Sequence, residues 1–80
     1  MLDQELKQET EKWLGKIKEE RKKVAPSGTD SENFIKNIDA YISDSEHFLA
    51  NNDLIRAFEA VIWAWSQLEL GKEMKMLVSL

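Results

Sequence analysis

Ten of the twelve residues from Leu54 to Trp65 are apolar, broken only by Arg56 and Glu59. A surface helix needs an apolar stripe on one side only, so a helix rich on nearly every side has to lie at the centre of a fold and touch more than one neighbour. On a helical wheel Leu54, Ala57, Phe58, Val61, Trp65 and Leu68 cluster on one side, flanked by Ala60 and Ala64, with Ile55 and Ile62 on the opposite flank. The polar strip left over is narrow: Arg56, Glu59, Ser66 and Gln67, with Trp63 in its middle. A Trp among polar neighbours needs an explanation.

Gly71 leaves two readings of the chain beyond it. A helix that stops there frees Lys72 to Leu80 as a turn or short helix able to fold back over Trp63. A helix that continues aligns Trp63, Leu70, Met74 and Leu77 on its outer face at spacings of seven, four and three, a seam for a partner or a second copy.

The rest of the chain supplies two more helices. Thr29 stands three residues before Glu32, the spacing of a capping box. From there Phe34, Ile38, Tyr41, Ile42, Phe48 and Leu49 share one side, with the small Ser45 at the stripe's centre, where it permits a close helix approach. Ala50-Asn51-Asn52-Asp53 is a short turn, with Asn suited to the left-handed stop and Asp53 to capping the next helix. Before Pro26, Leu2, Leu6, Trp13, Ile17 and Val24 form a narrow seam with Thr10 and Glu20 in its gaps, so this first helix should be the least firmly docked. No segment reads as a strand. The predicted fold is an all-α, three-helix up-and-down bundle with helices over about 3–23, 30–50 and 53–70, a connection at 24–29, and a helical or folded-back tail at 72–79. The 80 residues make one domain, since so short a chain does not divide into two cores.

Composition narrows the chemistry. With no Cys and one His, thiolate nucleophiles, Cys-ligated zinc and iron–sulfur clusters are excluded, and no disulfide can brace the fold. The net charge of −4 is local: residues 25–53 carry one basic and six acidic side chains, which disfavours nucleic acid there. The basic run Lys16, Lys18, Arg21, Lys22 and Lys23 is interrupted by Glu19 and Glu20 and reads as a solvated helix face, with Glu19 and Lys23 as a favourable pair. An acidic, amphipathic start is unlike a signal peptide. The stretch Leu54 to Leu70 contains Arg56, Glu59, Gln67 and Glu69, too many polar groups for a membrane span, so the expected location is the cytoplasm.

No catalytic, cofactor-binding or metal site is expected. Asp44 and His47 share a helical turn as carboxylate–histidine ligands do, but one pair is too few, and the wheel puts His47 outside. Glu46, Glu59 and Glu69 read as surface carboxylates, and Gly28 stands alone in its linker without a phosphate-cradling loop.

The run Tyr41-Ile42-x-Asp44-Ser45-x-x-Phe48-Leu49, then Asp53 through Ala60, Trp63-Ala64-Trp65 and Leu68-Glu69-x-Gly71, resembles the archaeal domain-of-unknown-function family 357. The resemblance covers nearly the whole chain. It implies a three-helix bundle from an archaeal intracellular protein, with no assigned activity, cofactor or catalytic residue; Asp44, Arg56, Glu59 and Trp63 fall on matching positions. A looser resemblance to HEPN-type helical domains and tetratricopeptide hairpins carries over no ribonuclease activity, because His47 precedes Arg56 and no His follows. The expected function is a non-enzymatic protein-interaction or self-association module, a homodimer being one form of it, with Arg56, Glu59, Trp63, Leu70, Met74 and Leu77 as the partner surface. The alternative is an accessory domain beside a nucleotide- or small-molecule-processing enzyme.

Overall fold

A computed structural model describes Leu2–Leu80. Three helices, α1 (Leu2–Arg21), α2 (Glu32–Ala50) and α3 (Leu54–Glu73), form the expected bundle, 43 Å long and about 17 Å across. Two short strands, β1 (Val24–Pro26) and β2 (Leu77–Ser79), close one end of it. The strands pair antiparallel, Ala25 opposite Val78, and hydrogen bonds from Ser27 N–H to the Met76 carbonyl (2.9 Å) and from Leu80 N–H to the Lys23 carbonyl (2.8 Å) extend the ladder. No strand was expected. Pro26 holds its predecessor extended, and the tail supplies the backbone partner, a long-range event that short-range patterning does not encode.

The core follows the apolar stripes. Ile38 and Ile42 from α2 meet Val61, Ala64 and Leu68 from α3, while Leu14 and Ile17 pack down from α1, and Val24 and Leu77 cap the end. Each fully buried branched side chain contributes roughly 1.5–3 kcal/mol. The α2–α3 interface is the most extensive in the molecule, and α1 leans on α3 more than on α2. Two small residues, Ser45 and Ala57, set the closeness of the hairpin. Ser45 is completely buried, and its hydroxyl donates a 2.7 Å hydrogen bond to the carbonyl of Ala57 across the interface.

The seam of α1 differs from the sequence reading. Its buried residues are Thr10, Leu14 and Ile17, whereas Leu2 is 76% exposed. Leu14, absent from the predicted stripe, lies four residues after Thr10 and three before Ile17. Its neighbour Trp13 straddles the edge, packing edge-on against Trp65 (5.7 Å, 89°) and accepting that indole's N–H at its own carbonyl (3.2 Å). Thr10 satisfies its hydroxyl locally, on the Leu6 carbonyl at 2.8 Å. Ion pairs add a border: Arg21 grips Asp39 through two bonds (2.7 and 3.2 Å), Lys18 reaches Glu46, and Lys72 lies 3.8 Å from Glu20. These exposed pairs are worth about 0–1 kcal/mol each.

Helix ends depart from the expected signals. The Thr29/Glu32 capping box does not form; Thr29–Ser31 winds into a 3₁₀ turn, and α2 starts after Ser31 without a side-chain cap. Asp53 likewise makes no capping bond and pairs with Arg56 at 3.7 Å. Asn52 does adopt the left-handed conformation (φ 59°), and Asp53 N–H bonds back to the Phe48 carbonyl (2.8 Å), which closes α2 as a Schellman motif. The same motif closes α3 at Lys75 (φ 60°), with Met76 N–H on the Gly71 carbonyl at 2.8 Å. Gly71 therefore is not the stop. It lies inside α3, fully packed, where a Cβ would fall 2.6 Å from Leu77 Cδ1 and 2.7 Å from its Cγ.

The roles of Gly71 and Lys75 can be separated by stability measurements. Gly71→Ala should lower the free energy of unfolding by about 1–3 kcal/mol through overpacking. Lys75→Gly should raise it by about 0.5–1 kcal/mol by relieving a left-handed backbone. Urea denaturation of the two variants checks both signs.

Candidate functional site

Tyr41, Asp44 and Phe48 follow one another at spacings of three and four on α2, and Arg56, Glu59 and Trp63 do the same on α3. Because the helices form a hairpin, Tyr41 comes opposite Trp63 and Phe48 opposite Arg56. The Tyr41 and Trp63 rings meet edge to face, 5.6 Å between centroids at 77°. The Arg56 guanidinium sits 5.9 Å from the Phe48 ring centre. Together with Ala60, which is buried and small, these residues line an open groove of about 240 Å³. The groove exists because small side chains bring the two backbones together at its floor while bulky ones one position outward stand up as walls.

Its electrostatics are uneven. Arg56 is engaged with Asp53, whereas no described residue forms an ion pair with Asp44 or Glu59. The other acidic groups of α2 that face α1, Asp39 and Glu46, are taken by Arg21 and Lys18. Within the basic run of α1, Lys22 and Lys23 pair with Glu19 and Glu20 in place of the anticipated Glu19/Lys23 pair, and Lys16 lies over the Trp13 ring at 4.6 Å.

Of the residues singled out from the sequence, Arg56, Glu59 and Trp63 gather in the groove, and Trp63 is 54% exposed. Leu70 and Met74 are also exposed but continue the strip along α3, Leu70 two turns beyond Trp63. Leu77 is a correction: it is 4% exposed, inserted against Gly71 in the core. The helix does run through Gly71, but only to Glu73, and β-pairing turns Leu77 inward. Nor does the tail fold over Trp63. The partners that sequence reasoning missed are Tyr41 and Phe48, assigned to the core stripe. Both are half-buried and flank Asp44, and that alternation at the stripe's edge was the available signal.

His47 is exposed, near the Asn51 amide (3.5 Å) and beside the Phe48 ring. Among the described residues no three His, Cys, Asp or Glu side chains are grouped to hold a metal, and no helix is long and apolar enough to cross a membrane.

The architecture is that of a small three-helix bundle closed at one end by a two-stranded clamp. Residues 7–77 match the family described as Protein of unknown function (DUF357), and the chain belongs to that family. A crystal structure of a DUF357 protein from Archaeoglobus fulgidus is 48% identical and superposes with a TM-score of 0.92, with all of both chains covered. No curated protein matches the chain.

The different fates of Trp63 and Leu77 are directly testable. Leu77→Ala should cost about 2–5 kcal/mol of stability through the cavity it leaves. Trp63→Ala should cost less, about 1–2.5 kcal/mol, from its aromatic pairing and the part of the indole that is buried. Thermal unfolding of the two variants beside the parent chain measures this.

Proposed function

We propose that this protein is a non-catalytic interaction module that docks a protein partner along the outer strip of α3 and the groove beside it. The observation that carries the reading is Trp63: a large indole, more than half exposed and packed edge to face with Tyr41, with no described segment folded over it. A large aromatic side chain with two rotatable bonds offers much contact area at little conformational cost, which is why Trp and Tyr anchor so many interfaces. Leu70 and Met74, exposed by 44% and 54%, continue the apolar surface along α3 beyond Trp63. Such a row on a helix that already contributes the centre of the core exceeds what folding needs.

The test is a photo-reactive amino acid placed at the exposed Ser66, on the same helix face. It should yield one discrete cross-linked adduct in cells, and Trp63→Glu should abolish it while leaving the circular dichroism of the protein unchanged. An adduct of twice the chain's mass would identify the partner as a second copy. No adduct, or one indifferent to Trp63→Glu, would contradict the reading.

A further inference from the structure

The groove between α2 and α3 has a chemistry more specific than that of an apolar strip. It is smaller than the roughly 300–1,000 Å³ of small-molecule and cofactor sites, at about 240 Å³. That space suits a single side chain. Two aromatic rings wall it at one end, and a T-shaped pair such as Tyr41/Trp63 covers at most one ring face, leaving π-surface open to a cation. Asp44 and Glu59, both exposed on its rim, have no ion-pair partner among the described residues, although the neighbouring Asp39, Glu46 and Asp53 all do. An anionic group would meet two carboxylates, and the one groove cation, Arg56, lies 3.7 Å from the Asp53 carboxylate.

The other end of the same groove shows what the walls accept. Arg56 places its guanidinium over the Phe48 ring and beside the Asp53 carboxylate, a cation held by one aromatic face and one acid. Further along the groove, Asp44 and Glu59 one turn on and Tyr41 and Trp63 two turns on again set acids beside aromatic rings, with no cation from the described residues to pair with the acids. We propose that this position receives a lysine side chain of the docking partner, its aliphatic stem lying on Ala60 and its ammonium between the carboxylates and the rings. The assignment rests on the interaction reading above and names the residue the partner must offer. A polypeptide, not a free amine, is the source, because Leu70 and Met74 carry apolar surface onward from the groove that only a longer ligand would use.

The experiment is a titration of ¹⁵N-labelled protein, followed at the Trp63 indole N–H resonance. The probes are a blocked Leu-Lys-Leu peptide, its Leu-Gln-Leu counterpart and spermidine. The Lys peptide should shift the resonance saturably and bind at least about fivefold more tightly than the Gln peptide, a preference that raised salt erodes. Asp44→Asn with Glu59→Gln, both at exposed positions, should abolish that preference without altering the rest of the spectrum. Equal response to the two peptides, a preference that survives the double substitution, or saturation by spermidine without response to the Lys peptide would overturn the proposal. If the Ser66 adduct persists in the doubly substituted chain while the peptides fail to discriminate, the docking surface stands and the lysine assignment falls.

Discussion

The close approach of α2 and α3 governs everything else in this small protein. Ser45, wholly buried, donates its hydroxyl to the Ala57 carbonyl across the interface. A polar group at the centre of so thin a core is tolerable only because that bond is made, since an unpaired buried hydroxyl costs about 1–3 kcal/mol. With Ala57, Ala60 and Ala64 all buried on the facing helix, the two backbones lie near enough for Ile38, Ile42, Val61 and Leu68 to interdigitate. The same closeness pushes Tyr41, Phe48 and Trp63 outward as walls, so the groove is a by-product of the packing that stabilises the fold.

A second constraint closes the end of the bundle. Gly71 lets Leu77 return onto α3, and Leu77 brings β2 beside β1, which ties the tail to the connection between α1 and α2. This commits the C-terminal segment to the core end of the molecule. It is therefore not on hand to cover Trp63, about two turns back along α3. The exposure of the indole follows from where the glycine lies.

Much of this was legible from residue order. The apolar surplus of Leu54 to Trp65 announces a central helix, Asn51-Asn52 announces a left-handed stop, and Trp63 stands out in a polar strip. Most of the features that were not legible share a cause: they depend on residues distant in sequence. The β1/β2 pair joins Val24 to Ser79, and neither three-residue strand has any pattern of its own. Gly71 resembles a helix stop until Leu77 is seen against it, while the true stop falls on Lys75, a residue without left-handed preference. Leu14 was hidden because Trp13, its larger neighbour, occupied the expected seam. Tyr41 and Phe48 were read as core because their apolar bodies are half-buried; only the facing helix reveals which of their edges remain open.

An uncovered Trp63 requires that α3 pass through Gly71 and that the tail seal the end of the bundle. Nuclear Overhauser contacts of the Leu77 methyl groups report on both at once. Cross-peaks are expected from those methyls to the Gly71 α-protons and the Phe34 ring, which flank the same small space. Cross-peaks from the Leu77 methyls to the Trp63 indole in their place would mean that the tail folds over the strip, and would contradict this architecture.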